Sequence, residues 1–141
     1  MTNKKKWFMH TILKMQNRWY KWNSQTPAGS DCSGMIIEDL RAVGEIKGHE
    51  DYSAAALYRI YKEKKQLIPH PKEAALAFYF NRRGECYHVT VCLDEEFCMT
   101  ANRGGRHVTD PGTAAEYEAF VTIRPIFHHS KATVEFIDLR L

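Results

Sequence analysis

The strongest constraint on the fold of this chain is the change of hydrophobic pattern at Pro69 and Pro71. Before these prolines, apolar residues recur at spacings of three and four, as they do in amphipathic helices. After them, short apolar runs are separated by glycine-containing or acidic turns, as in an antiparallel meander. Helices first and strands second predict an α+β domain, with N-terminal helices packed on an antiparallel sheet of about five or six strands.

The bounds of the elements follow from the same patterns. We expect helices over residues 4–22, 32–43 and 52–64, and a loop over residues 23–30. We expect strands over residues 74–80, 87–93, 97–101 and 106–109, and one or two more within 120–127 and 132–139. The tail over residues 128–141 is predicted to form an edge strand with a surface loop. Residues 1–141 contain no repeats and are predicted to form a single domain.

Charge and cysteine usage exclude several classes of protein. The net charge of +3 is too small to indicate a nucleic-acid-binding face. The basic start at Lys4-Lys5-Lys6 is not followed by a signal-peptide pattern or by a run long enough to span a membrane, so we expect synthesis in the cytoplasm without a signal peptide. The four cysteines form no Cys-x-x-Cys pair. We therefore expect reduced cysteines, no metal and no cofactor, with Cys92 and Cys98 opposite each other if the intervening turn forms a hairpin.

The tetrapeptide Asp31-Cys32-Ser33-Gly34 is the first candidate for chemistry, because it stands where the second helix begins. Either Ser30 or Asp31 can cap that helix. A cysteine at a helix N-terminus lies at the positive end of the helix dipole, which lowers the pKa of the thiol and favours the nucleophilic thiolate. The unpaired N–H groups of the first turn can also stabilise an oxyanion. A lone cysteine is more often a buried apolar residue, but Cys32 has polar neighbours and a glycine beside it.

His88 is the candidate base, since it lies in a predicted strand and an imidazole can take the thiol proton and return it to a leaving group. The competing candidates are His107 in a short strand and the pair His128-His129, which is predicted to form an exposed turn. Thr100 and Asn102 share a face of the next strand, and either of them could orient the imidazole if the two strands pair.

These residues resemble the NlpC-type cell-wall cysteine peptidases, a papain-like family. The nucleophile motif of that family coincides with Asp31-Cys32-Ser33-Gly34, and its Tyr-x-Trp pattern coincides with Tyr20 and Trp22. Its His-Val-x-Val-x-Leu strand coincides with residues 88–93. The resemblance covers about residues 12–110 and implies a papain-like fold.

The resemblance also implies a role for each matching residue. Cys32 is then the nucleophile, and His88 is the general base. The third catalytic residue of the family, usually histidine and sometimes asparagine or glutamine, falls at Thr100 here, with Asn102 as the alternative. The substrate and oxyanion positions coincide with four residues: Tyr20, Trp22, Asp31 and Ser33.

The activity that the resemblance implies is hydrolysis of the bond between γ-D-glutamate and a diamino acid in the peptidoglycan stem peptide. A peptidase domain of this kind without a signal peptide is expected in a phage or prophage tail component, a lysis protein or a toxin delivered by a secretion machine. Of these, we favour phage or prophage origin. Two alternatives stay open. One is an amidase or acyltransferase acting on another substrate, and the other is an assembly or binding protein that keeps the cleft with weak catalysis or none.

Overall fold

We describe a computed structural model of the chain for residues 2–19, 25–26, 29–47, 52–64, 66–101, 110–116, 120–129 and 131–141. Within these ranges the helices are α1 (Asn3–Leu13), α2 (Cys32–Ala42), α3 (Ala54–Glu63) and α4 (Pro111–Glu116). The strands are β1 (Gln25–Thr26), β2 (Gly29–Ser30), β3 (Leu67–Ile68), β4 (Ala75–Phe80), β5 (Cys86–Cys92), β6 (Phe97–Ala101), β7 (Val121–Pro125) and β8 (Thr133–Asp138). No helix in the described ranges has the length and apolar character needed to cross a bilayer.

The main sheet has six antiparallel strands in the order β3-β8-β4-β5-β6-β7, and β1 and β2 form a separate hairpin. This architecture confirms the predicted α+β class and the predicted antiparallel sheet. The prediction of an edge strand for the tail is wrong, because β8 lies between β3 and β4. Pairing on both sides satisfies the backbone groups of β8, which an edge strand would leave open.

The first helix is shorter than its hydrophobic spacing predicts. It ends at Leu13, and the chain then turns through Asn17, whose backbone φ of 72° lies in the left-handed region. The Asn17 N–H donates to the Val121 carbonyl at 2.8 Å, and the Val121 N–H donates to the Arg18 carbonyl at 2.7 Å. The segment after α1 therefore pairs with the start of β7, and this tertiary pairing overrides the local helical pattern.

Helices α2 and α3 lie close to their predicted bounds, and they cover one face of the sheet. Their apolar side chains join those of the sheet in the larger hydrophobic cluster, which includes Met35, Leu40, Leu57, Phe78 and Val91. The opposite face carries a smaller cluster that includes Tyr79, Cys92, Cys98, Ile126 and Phe136. The sheet is therefore buried on both faces, which explains the near-continuous apolar run of β4.

The central strands confirm the predicted hairpins. Cys92 and Cys98 are direct partners across β5 and β6, and both are buried free thiols, as predicted. The predicted strand over residues 106–109 lies outside the described residues. The short strand β3 and the helix α4 have no counterpart among the sequence predictions, since two residues and six residues are too few to produce a periodic signal.

Candidate active site

The N-terminus of α2 is set by Asp31, which caps the helix. Its Oδ1 accepts a hydrogen bond from the Gly34 N–H at 2.6 Å, so Asp31 rather than Ser30 is the N-cap. Cys32 is then the first helical residue and is half-buried, while Ser33 is buried behind it.

The thiol of Cys32 reaches the sheet at the backbone of Val89, the residue that follows His88. Burial, followed by the charge of the Asp31 carboxylate, raises the pKa of Cys32 to about 12. The N–H groups of Val89 and Ser33 point at the sulfur and act to lower this pKa. The expected lowering of the thiol pKa is therefore not what the structure gives, since desolvation and a neighbouring negative charge outweigh the backbone donors.

His88 follows an irregularity in β5. Tyr79 is the Cα partner of His88 and Phe80 is the partner of Cys86, so Tyr87 is the extra residue of a β-bulge. A bulge rotates the extra side chain away from strict alternation. Tyr87 accordingly lies beside His88 with ring centroids 6.4 Å apart, and it does not face the opposite way as simple alternation predicts.

Thr100 is the hydrogen-bond partner of one nitrogen of the His88 ring. The distance between His88 Nε2 and Thr100 Oγ1 is 2.9 Å, and both side chains are buried. Nε2–H can donate to the hydroxyl oxygen, and this tautomer leaves Nδ1 without a proton. The sequence spacing of twelve residues between His88 and Thr100 thus corresponds to a contact between neighbouring strands.

The turn after β7 closes over His88. The His129 ring stacks on His88 with centroids 5.0 Å apart and an interplanar angle of 9°, and the His128 centroid lies 5.9 Å from that of His88. We call His88, His128 and His129 the histidine cluster. His88 is only 6% exposed, and burial with the two neighbouring histidines lowers its pKa to about 3. His128 and His129 lie in a turn between β7 and β8, as predicted, but they are half-buried and not exposed, because β8 pairs with β4 and brings this turn onto Tyr79.

The structure therefore brings some predicted site residues together and leaves others apart. His88 and Thr100 are hydrogen-bonded, and Cys32 lies against the amide of Val89, but no hydrogen bond joins the Cys32 thiol to the His88 imidazole. Thiol and imidazole are both neutral at neutral pH, because the pKa of Cys32 is raised and that of His88 is lowered. Three predicted site residues lie outside the described residues: Tyr20, Trp22 and Asn102.

Sequence reasoning missed His128, His129 and Tyr79 as neighbours of His88. Tyr79 is fully buried and donates a hydrogen bond from its hydroxyl to the Ile126 carbonyl at 2.6 Å, which anchors the turn that carries the two histidines. The two adjacent histidines before the last strand were the only sequence feature that could have indicated this contact with His88. Recognising the contact also required the pairing of β8 with β4, which hydrophobic periodicity does not predict.

Comparisons with known proteins relate this geometry to a family. The model of the NlpC/P60 family matches residues 17–124. No curated protein matches the chain. Among solved structures, the P60 domain of antigen MAP1204 from Mycobacterium avium subspecies paratuberculosis has a TM-score of 0.68 at 18% identity, covering 96% of this chain and 94% of that one.

Two further solved structures have the same fold. RipD from Mycobacterium tuberculosis, described as a non-catalytic NlpC/p60 domain protein adapted to peptidoglycan binding, has a TM-score of 0.69 at 14% identity over 99% of each chain. The NlpC/p60 domain of the peptidoglycan hydrolase SagA has a TM-score of 0.67 at 17% identity, covering 96% of this chain and 98% of that one. These identities establish the papain-like fold alone. Because the family match extends over residues 17–124 and includes Cys32, His88 and Thr100, the chain belongs to the NlpC/P60 family.

Proposed function

We propose that this protein is a cysteine peptidase that hydrolyses the amide bond between γ-D-glutamate and the diamino acid of peptidoglycan stem peptides. The observation that carries the proposal is the placement of Cys32 at the start of α2, against the amide next to His88, whose Nε2 is 2.9 Å from Thr100 Oγ1. The three family positions thus lie on the adjacent elements α2, β5 and β6, with the thiol against Val89 and the imidazole on the preceding residue, His88. Family membership supports the choice of peptidoglycan as substrate.

The first half of the reaction forms a thioester. The thiol proton of Cys32 passes to Nδ1 of His88 while the sulfur bonds to the scissile carbonyl carbon, and the carbonyl electrons move to the oxygen. The proposed donor to the developing oxyanion is the Cys32 N–H at the start of α2, and Tyr20 has the same role by resemblance to the family. The carbon–nitrogen bond then breaks, and His88 gives the proton to the leaving amine.

The second half releases the acid. A water molecule gives a proton to His88 as its oxygen attacks the thioester carbon, and the carbon–sulfur bond breaks. His88 returns the proton to the sulfur, so thiol and imidazole are both neutral again. The raised pKa of Cys32 and the lowered pKa of His88 support this neutral resting pair, in which proton transfer accompanies attack and does not precede it.

The proposal extends to the setting in which the protein acts. We infer that it is made in the cytoplasm and acts at the bacterial cell wall, as a component of a phage or prophage or as cargo of a secretion machine.

The experiment that tests the function is digestion of purified peptidoglycan, followed by mass analysis of the soluble fragments. We expect fragments that end at γ-D-glutamate and fragments that begin with the diamino acid, each pair heavier than its parent by one water. Protein alkylated with iodoacetamide is the control, and unchanged peptidoglycan after treatment with active-thiol protein contradicts the proposal.

Thr100 provides a test of the base. Replacing Thr100 by valine removes the partner of a buried ring nitrogen, and we expect kcat to fall about tenfold with little change in KM, since a lost buried hydrogen bond costs about 1–3 kcal/mol. Thr100→Ser keeps the hydroxyl and is expected to retain most of the activity. Thr122 is the matched control, because it is the Cα partner of Thr100 on β7 and its buried Oγ1 has no hydrogen-bond partner. Equal kcat values for Thr100→Val and Thr122→Val exclude an orienting role for Thr100.

A second function, binding of peptidoglycan without cleavage, is favoured by the 6% exposure of His88 beneath His128 and His129. A base covered in this way has restricted access to a substrate. Co-sedimentation with intact peptidoglycan, combined with the digestion above, separates the two functions. Sedimentation of the protein without release of fragments supports binding alone, whereas release of fragments supports the peptidase.

A further inference from the structure

The histidine cluster has the composition of a metal site. One ligand nitrogen from each of His88, His128 and His129 lies within 4.8 Å of the corresponding nitrogens of the other two. His88 comes from β5, while His128 and His129 come from the turn between β7 and β8. Three imidazoles with one position left for water or another ligand are a frequent donor set for Zn²⁺.

Each ring of the histidine cluster also has an outer hydrogen-bond partner. His88 Nε2 lies 2.9 Å from Thr100 Oγ1, His128 Nδ1 lies 2.8 Å from the Pro125 carbonyl oxygen, and His129 Nδ1 lies 2.7 Å from the Tyr87 hydroxyl. Partners of this kind fix the tautomer and orientation of metal-binding histidines. The second nitrogen of His128, Nε2, is buried and has no hydrogen-bond partner. A buried unpartnered nitrogen is costly unless a ligand is provided for it.

The turn that carries His128 and His129 is anchored by two hydrogen bonds. Tyr79 holds it through the Ile126 carbonyl, and the Ala132 N–H closes it on the His129 carbonyl at 3.1 Å. A tetrahedral site with Zn–N distances of about 2.0–2.1 Å needs nitrogens about 3.3 Å apart, so rotation of half-buried rings has to close a gap of about 1.5 Å.

Access to the histidine cluster is provided by a surface cleft with a volume of about 480 Å³. Tyr87, His128 and His129 line this cleft, together with Arg82 and Lys131. An ion can therefore reach His128 and His129 from solvent without unfolding of the sheet, and the fourth coordination position would face the cleft.

We propose that His88, His128 and His129 bind one Zn²⁺ ion, and that occupancy of this site withdraws His88 from proton transfer. The first half of the proposal is independent of the proposed peptidase activity, whereas the second half rests on it. Zn²⁺ is then a reversible inhibitor, because a coordinated imidazole has no lone pair with which to accept the Cys32 proton. The sequence prediction of no metal considered cysteine spacing, and this site uses imidazoles from two distant segments.

The test is a titration of the full chain with ZnCl₂, monitored by isothermal titration calorimetry. MgCl₂ is the control, because Mg²⁺ is a hard cation that prefers oxygen ligands to imidazole nitrogens. We expect one Zn²⁺ per chain, no binding of Mg²⁺, and at least tenfold weaker Zn²⁺ binding in His128→Ala and in His129→Ala. His10→Ala and His70→Ala, which change exposed histidines outside the cluster, are expected to bind Zn²⁺ as the wild type does. Cys32→Ala should also bind normally, which separates this site from thiol ligation.

Circular dichroism of each variant establishes that the fold is retained, and the two single-histidine variants provide independent measurements. If the wild type does not bind Zn²⁺, or if the wild type, His128→Ala and His129→Ala bind Zn²⁺ with equal affinity, the proposed metal site is refuted. Binding without any effect on peptidoglycan digestion overturns the inhibitory half. Binding by a chain that digests no peptidoglycan under any condition leaves the metal site standing and removes the peptidase.

Discussion

Replacing Cys32 by alanine is expected to abolish release of peptidoglycan fragments, with a fall in kcat/KM of at least about 10³-fold. The sulfur is the atom that bonds to the substrate carbonyl in the proposed reaction, and no neighbouring group can replace it. Fragment release is measured by mass analysis at equal protein concentration. The variant keeps the Asp31 cap and the buried face of α2, so we expect its circular dichroism to match that of the wild type.

Cys86→Ala is the matched control for the loss of a thiol. Cys86 is a half-buried free cysteine on the same strand as His88, and its Sγ lies 3.8 Å from the His88 carbonyl oxygen. We expect this variant to release fragments at a rate close to that of the wild type. A Cys32→Ala protein that digests peptidoglycan as fast as Cys86→Ala would end the cysteine-peptidase proposal and would favour a function in binding.

A second large effect is expected for Asp39, which lies in the middle of α2. Its side chain is fully buried, and neither carboxylate oxygen has a hydrogen-bond partner. Burial and the neighbouring Glu38 raise the pKa of Asp39 from 3.8 to about 8. The helix that begins at Cys32 therefore carries an uncompensated acid, and the free energy of unfolding must depend on the ionisation of Asp39.

The direction of this pH dependence follows from proton counting. Between pH 3.8 and about pH 8 the folded state keeps a proton on Asp39 that the unfolded state has lost. The free energy of unfolding therefore falls as the pH rises through this window, by up to about 1.4 kcal/mol per pH unit, and levels off above it. We expect Asp39→Asn and Asp39→Leu to lack this slope, so each gains about 5 kcal/mol relative to the wild type between pH 4 and pH 8.

Urea unfolding followed by circular dichroism at pH 4, 6 and 8 measures this difference. Glu63→Gln is the control, because Glu63 is an exposed acid at the end of α3. We expect the free energy of unfolding of this variant to change with pH as that of the wild type does. If the wild type and both Asp39 variants show parallel pH profiles, Asp39 is ionised in the folded protein and has a partner that offsets its burial.

Local signals were sufficient for the parts of the fold in which neighbours in sequence are also neighbours in space. The cap at Asp31 and the bounds of α2 follow from residues one turn apart. The β5–β6 hairpin follows from alternation on either side of a short acidic turn, and it brings Cys92 opposite Cys98. The contact between His88 and Thr100 belongs to the same hairpin, which is why a spacing of twelve residues could indicate it.

Signals of this kind failed where a distant segment competes with a local pattern. The helical spacing after Leu13 is overridden because Asn17 and Arg18 pair with Val121, more than a hundred residues away. The tail could not be recognised as an interior strand for the same reason, since its partners are β3 and β4. No window of a few residues contains the information that decides such pairings.

The sequence by itself determined the family motif and the candidates for nucleophile and base, because each depends on residue type and on spacing within a helix or a hairpin. Only the tertiary structure decided the electrostatic state of these groups. Burial of Cys32 against Val89 and packing of His128 and His129 over His88 keep both the thiol and the imidazole neutral. The physical reason is that desolvation depends on everything packed around a side chain, and most of that packing comes from elements remote in sequence.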